Sequence, residues 1–256
     1  MKIALIQAPL VWEVIDANLR YFESKIEQLE VDTDLVVLPE MFTSGFTMNP
    51  ERAFEVMDGY AVSWMQKMCM QKSIALTGSM IIKEKGNYYN RMFFVFPNGT
   101  YQTYDKRHLF SLAGEEKKYK AGSQRLVVTY KDWKICPLVC YDLRFPVFAR
   151  NQDEAYDLLI YVANWPDQRI YAWDSLFKAR AIENMAYAVG VNRVGTDSGN
   201  NVYSGHSQVL DYMGAYIVPP HNGEAVLYAK LEKANLIQAR KKLAFLSDGD
   251  SFILKD

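Results

Sequence analysis

The chain has 256 residues, half of them hydrophobic, and a formal net charge of −1. That size allows one α/β domain with a sizeable core or two small ones. The balanced charge, without a long basic or acidic block, gives no footprint for nucleic acid or an anionic membrane surface. No stretch approaches the roughly 20 apolar residues of a membrane span. The opening run, residues 1–10, is too short for a signal peptide, so a cytoplasmic protein is expected. Three cysteines, Cys69, Cys136 and Cys140, are too few for a disulfide framework. None of His108, His206 and His221 pairs with them at zinc-like spacing, so no metal is expected. No Gly-rich nucleotide fingerprint or Walker pattern occurs, so no nucleotide cofactor is expected.

Residues 2–8 predict a first buried strand. Asp16 reads as a helix N-cap. Leu19, Phe22, Ile26 and Leu29 recur at helical spacing, which predicts an amphipathic helix to about Leu29. Residues 35–38 form a short apolar run, the next strand. A strand–helix–strand unit implies parallel pairing. This second strand carries Glu40 at its C-terminal end, ahead of a Gly-containing loop, 41–50. Taken alone, Glu40 reads equally well as a solvated loop carboxylate.

A helix is predicted over about 60–71, with Met65, Met68 and Cys69 on one face as core filling. Strands at 74–82, 88–96 and 100–106, joined by turns at 85–87 and 97–99, form an antiparallel meander. Asn98-Gly-Thr100 matches a glycosylation sequon but reads better as a hairpin turn. The meander ends at Lys106. A charged loop, 111–122, follows and holds Glu115 and Glu116; a loop of that length in a compact domain is often functional.

Residues 126–130 and 135–140, joined at Lys131-Asp132, predict another hairpin. Pro137 conflicts with a ladder, which predicts a bulge or a strand that begins only after it. The run ends at Cys140, and the polar turn Tyr141-Asp142 follows at once. A thiol at a strand end, half out of the core and beside free backbone N–H groups, suits a nucleophile. A free Cys is nevertheless commonly a small buried hydrophobe. Cys136 lies ~13 Å along the same strand at ~3.3 Å per residue, too far for a disulfide or a shared metal.

A short helix is predicted at 146–151 and a buried strand at 158–163, followed by Asn164-Trp-Pro-Asp167. Asp174 reads as the N-cap of a helix over 175–187 with Leu176, Ala179, Ile182 and Ala186 inward. A strand at 188–194, a loop at 197–201 and short strands near 207–211, 215–218 and 225–231 close the sheet. A helix over 234–245 and a tail, 247–256, finish the chain. Phe252, Ile253 and Leu254 of that tail should bury against the body or a second subunit. No linker or repeat divides the chain, so residues 1–256 read as a single domain, with 232–256 as a C-terminal helix and tail.

Glu40, Lys106 and Cys140 thus stand at three strand ends. Leu38-Pro-Glu-Met-Phe42, Tyr104-Asp-Lys-Arg-His-Leu-Phe110 and Leu138-Val-Cys-Tyr-Asp-Leu-Arg-Phe-Pro146 carry a resemblance to the nitrilase superfamily of carbon–nitrogen hydrolases. Ala163-Asn-Trp-Pro166, Arg180-Ala-Ile-Glu-Asn184 and Ser204-Gly-His-Ser207 support it, in the family's order and over nearly the whole chain. The resemblance implies an α/β fold, a four-layer α-β-β-α sandwich with mixed sheets. It also implies a homodimer or higher homo-oligomer built through outer helices and the C-terminal segment, with Cys140 as nucleophile. The family's second glutamate matches Glu115 better than Glu116; its role would be to orient and partly neutralise Lys106.

The chemistry can be argued beside the resemblance. A thiol with a pKa near ~8.5 needs a base or a cation to act at neutral pH. Glu40 can take its proton, and Lys106 with the backbone N–H of Tyr141 can hold the oxyanion. Glu40 then serves ammonia departure and thioester hydrolysis in turn, so no histidine and no cofactor is needed. The blocks around Cys140 and Trp165 look most like the omega-amidases. The substrate implied is the side-chain amide of a small 2-oxo acid, such as 2-oxoglutaramate or 2-oxosuccinamate, with water. Phe42, Tyr141 and Trp165 are candidate pocket walls, and Arg144 is the nearest cation for a substrate carboxylate. Three alternatives stay open: another small-amide, nitrile or N-carbamoyl hydrolase of this superfamily; a silent binding subunit; and a Cys–His hydrolase using His206.

Overall fold

The computed structural model describes residues 1–254. Strand β1 (Lys2–Gln7), helix α1 (Ile15–Glu27) and β2 (Leu35–Val37) form the expected unit, with β1 and β2 parallel. Helix α2 (Tyr60–Lys72) leads into β3 (Ala75–Glu84), parallel to β2, and then into the antiparallel meander of β4 (Asn87–Val95) and β5 (Tyr101–Asp105). The chain then crosses to a second sheet: β6 (Val128–Tyr130), β7 (Trp133–Val139), α3 (Pro146–Ala149), β8 (Leu158–Ala163), α4 (Ile170–Asn184) and β9 (Tyr187–Asn192). It ends with β10 (Val194–Thr196), β11 (Val202–Leu210), β12 (Tyr216–Asn222), β13 (Ala225–Lys230) and α5 (Lys233–Leu243). The first sheet has the order β13-β1-β2-β3-β4-β5, and the second β10-β11-β9-β8-β7-β6, with β12 on β11.

Alternation along the strands builds the layers. Ile3, Leu5, Leu35, Val37 and Phe94 join Ile135, Val139 and Leu158 in one apolar cluster, the interface between the sheets. Their neighbours Ala4, Ile6, Val36 and Leu38 point the other way and meet Leu19, Phe22 and Ile26 of α1 and Met65 and Met68 of α2. Both faces of these strands are therefore covered, which is why they read as continuous apolar runs. On the far side of the second sheet, Trp173, Phe177 and Ala181 of α4 are buried. The result is the four-layer α-β-β-α sandwich.

Several local expectations differ. Pro137 makes no bulge and does not delay the strand: β7 stays in unbroken parallel register with β8, Pro137 opposite Ile160. Strand β6 pairs with β7 only from Trp133 to Ile135, so on that flank no ladder remains for the missing N–H to interrupt. Asp16 is not an N-cap; Val14 holds that position, and Asn18 instead ties the helix start to Val11 N (2.8 Å) and Thr43 O (2.8 Å). Asp174 is not a cap either. Helix α4 starts at Ile170 and turns its aromatic stripe inward, which leaves Ile182 51% exposed. The tail buries against the body only in part: Phe252 is half-buried and its carbonyl accepts from Gln152 Nε2 at 3.3 Å, whereas Ile253 and Leu254 are exposed; Lys255 and Asp256, the end of the predicted tail, lie outside the described residues. No helix among the described residues is long and apolar enough to cross a membrane.

Candidate active site

The carboxyl ends of β2, β5, β7 and β8 point into one place, and each is followed within three residues by a polar side chain. Past β2, Glu40 is wholly buried. Its Oε1 accepts from Lys106 Nζ at 3.0 Å and from Asn90 Nδ2 at 2.8 Å; its Oε2 accepts from the backbone N–H of Asn164 at 2.8 Å. Lys106, directly after β5, also donates to both oxygens of Glu115, at 3.1 and 2.9 Å. Glu115 comes from a loop of two single 3₁₀ turns, Ser111–Ala113 and Glu115–Lys117. The N–H of Phe110 fixes its Oε2 at 2.6 Å. One ammonium thus sits between two buried carboxylates, with the Phe46 ring 5.1 Å away. Among the described residues no group of three His, Cys, Asp or Glu side chains is arranged to hold a metal ion.

Cys140 follows β7 and opens a 3₁₀ turn, Cys140–Arg144, with φ at +43°. That left-handed conformation is uncommon for a side-chain-bearing residue and marks a sharp elbow. Asp142 holds the elbow. Its Oδ2 accepts from Tyr104 of β5 (2.7 Å) and from Val139 N (3.0 Å), and its Oδ1 from His108 N (3.1 Å). His108 Nδ1 lies 2.7 Å from the same oxygen, and its ring stacks on Phe145 at 3.8 Å. The turn bearing the thiol and the loop bearing Lys106 are therefore tied to a single carboxylate.

Electrostatics follow from the burial. Burial raises the pKa of the Cys140 thiol, the negative charge of Glu40 raises it further, and Lys106 only partly opposes them. The net shift is well above the usual thiol range. Burial works against the Lys106 ammonium, but Glu115 and Glu40 outweigh it and raise its pKa. Burial also raises Glu115, against the pull of Lys106.

Glu40, Lys106 and Cys140 line a cavity of about 420 Å³, within the usual range for small-molecule sites. Tyr141, Arg144 and Trp165 line it as well. The Arg144 guanidinium lies 4.9 Å over the Trp165 ring. Phe42 does not line it: its ring is buried on the opposite side of the first sheet, against Phe22 and Trp64. Phe46, four residues on, supplies that wall instead. His206 is not beside the thiol; its Nδ1 is 2.8 Å from Asp174 of α4. Glu115 sits behind Lys106 and is absent from the cavity lining.

Sequence reasoning missed Asn90, Asn164 and Arg169. Asn90 is a fully buried polar residue in β4, but Asn87 and Arg91 are polar too, so nothing in the strand's pattern singled it out. Arg169 lines the cavity with its guanidinium 5.3 Å over the Phe110 ring.

The chain is similar to known proteins along nearly its whole length. The carbon–nitrogen hydrolase family model matches residues 2–241. Over 255 residues the chain is 44% identical to the omega-amidase YafV of Escherichia coli K12, covering 99% of this chain and 98% of that one. It is 29% identical over 235 residues to the 2-oxoglutaramate amidase of Bacillus subtilis, with 90% of each covered. The structure superposes with a TM-score of 0.97 and 40% identity, over 100% and 99% of the two chains, on a Xanthomonas campestris protein. That protein belongs to the CN-hydrolase superfamily and was solved with an arsenic adduct in its active site.

Proposed function

This chain belongs to the carbon–nitrogen hydrolase family, and from that premise we propose that it is an omega-amidase. It would release ammonia from the side-chain amide of a small 2-oxo acid of the 2-oxoglutaramate or 2-oxosuccinamate type. The observation that carries the reading is the Glu40–Lys106–Glu115 cluster held against Cys140 at the floor of a cavity that also holds two arginines. Among the described residues neither Arg144 nor Arg169 has a carboxylate partner. Two arginines with no carboxylate partner suit a substrate with a carboxylate better than a neutral nitrile; Asp197, which also lines the cavity, is held by Asn201 and Tyr203. Arg144, braced on Trp165, is the proposed carboxylate anchor, and Tyr141 a wall.

The reaction proceeds in two halves. At rest the proton stays on sulfur, because burial and the charge of Glu40 disfavour the thiolate. As Sγ bonds to the amide carbon, Glu40 takes that proton and the carbonyl oxygen becomes an oxyanion. Lys106 Nζ and the N–H of Tyr141 hold it. The C–N bond then breaks, and Glu40 returns the proton to the nitrogen, which leaves as ammonia. The thioester on Cys140 is attacked by water, whose proton goes to Glu40. The C–S bond breaks, the acid departs and the thiol is restored. Glu115 holds Lys106 in line throughout.

The test is ammonia release by purified protein from 2-oxoglutaramate, 2-oxosuccinamate, glutamine, a nitrile and an N-carbamoyl compound. The 2-oxo amides should be preferred by at least about 100-fold in kcat/KM, the discrimination that a lost buried polar contact gives. Cys140→Ala should be inactive with all of them. A nitrile or carbamoyl preference would overturn the substrate reading. We also propose that the protein works as a homodimer. Supporting this, Tyr171 and Ile182 on α4 and Met213 beside them are 83%, 51% and 51% exposed. Light scattering of Ile182→Glu should show a weakened dimer; a wild-type monomer at micromolar concentration would end that proposal.

A further inference from the structure

Two buried amides flank Glu40, and both are oriented in the same unusual way. Asn90 spends its Nδ2 on Glu40 Oε1 (2.8 Å) and on Glu115 Oε1 (3.3 Å). Asn164 spends its own on the Glu40 carbonyl oxygen (2.7 Å) and, at 3.5 Å, on Oε2. Both leave their side-chain Oδ1 buried with no hydrogen-bond partner. A buried polar atom without a partner is unfavourable, and the few that persist in a native structure call for an explanation. The donors are committed to the carboxylates and the acceptors are left unpaired, so the carboxylates set the orientation of both amides. Asn90 is the first fully buried residue of β4, followed by Arg91 and then by the apolar run Met92, Phe93, Phe94 and Val95. Its place in the strand is explained by what it touches, not by packing.

We infer that Asn90 is a positioning residue which, bridging Glu40 and Glu115 with Asn164 beside it, holds the carboxylate pair around Lys106 and Glu40 aimed at the thiol, so that it sets the pH at which the enzyme becomes active. This rests on the reading of Glu40 as the general base. A donor to the charged form of a carboxylate favours that form. Asn90 gives one hydrogen to each member of the carboxylate pair that competes for Lys106. Its loss leaves two buried carboxylates sharing a single ammonium. The charged and titratable groups facing Glu40 are Lys106 at the end of β5, Glu115 from the loop, Cys140 at the end of β7, and Tyr119 behind Glu115. None replaces a neutral donor at Oε1. The acid limb therefore belongs to this coupled set, and Asn90 moves it as a whole.

The experiment compares wild type, Asn90→Leu, Asn90→Ala and Glu40→Gln. For each, kcat/KM for ammonia release from 2-oxoglutaramate is measured from pH 5 to 9, and thermal unfolding is recorded beside it. Leu keeps the branched shape of Asn and Ala adds no bulk; both lack the donor and neither brings a charge, so either one that folds suffices. With Glu40→Gln inactive, the acid limb of both variants should move up by about one pH unit. Activity should then fall roughly tenfold below pH 6 and only a few-fold at pH 8. A uniform loss at every pH, with the limb in place, would mean that Asn90 is merely structural and would overturn the inference. Activity retained by Glu40→Gln would instead remove Glu40 as base, and the inference with it.

Discussion

Cys140 occupies the left-handed region at φ +43°, where a Cβ costs about 1–2 kcal/mol and glycine costs almost nothing. The elbow is therefore kept for its geometry and not for its stability. Of two inactive variants, Cys140→Gly should be more stable than Cys140→Ala by about 1 kcal/mol in urea unfolding; the reverse order would mean that the elbow is unstrained. Cys136 behaves differently. It is fully buried, and burial pushes its thiol from about 9 up to about 12. The unfolded chain ionises first, so this contribution to stability is intact below pH 9 and is lost as the pH climbs toward 12. In denaturant titrations between pH 9 and 11, Cys136→Val should flatten the decline by about 1.4 kcal/mol per pH unit. Glu40, Lys106 and Cys140 were legible as reactive types at the ends of apolar runs, but their joint role, and Glu115 with it, was legible only through the resemblance to the nitrilase superfamily. Phe42 and Asn90 were not legible. Which way a residue faces just past a strand, or which buried atom an amide serves, depends on neighbours from distant parts of the chain.

Among the elements, the 3₁₀ turn after β7 is governed by Asp142, which accepts from β5, from β7 and from the His108 loop. Removing a buried carboxylate with several donors leaves them all unpaired. Asp142→Ala should cost about 3–5 kcal/mol and disable the site, whereas Tyr104→Phe, which deletes one of those bonds, should cost about 1 kcal/mol. Urea midpoints would check both, and equal losses would refute the hub. Strand and helix positions were largely legible from alternation and 3.6-residue spacing. Helix starts were less so, because Asp16 and Asp174 have the chemistry of caps. Asp174 in fact sits within α4 and accepts from Gln208 Nε2 at 2.9 Å and contacts His206. Of the residues expected to face inward on α4, Ala186 is buried and Leu176 packs on the core, but Ile182 is exposed, because Trp173 and Phe177 centre the buried face.

At the scale of the whole molecule, the site is divided between the two sheets: Glu40 and Lys106 belong to the first, and Cys140 and Asn164 to the second. Holding a base 3.0 Å from an ammonium and both against the thiol needs the sandwich closed over its full interface. Loss of activity in urea should coincide with loss of far-UV circular dichroism and of tryptophan fluorescence, within the width of one transition. Inactivation well before unfolding would show that the sheets can part without melting. Strand order and the face-to-face stacking were not legible from spacing alone, because periodicity says which face is apolar and not which partner covers it.

The proton that Glu40 and burial keep on Cys140 has a bearing on how the protein survives between turnovers. Peroxide attacks sulfur mainly as the anion, so an idle molecule is a poor target for it. Chemical ageing of the nucleophile should therefore be slow in stored protein and should quicken when the solution is made strongly alkaline.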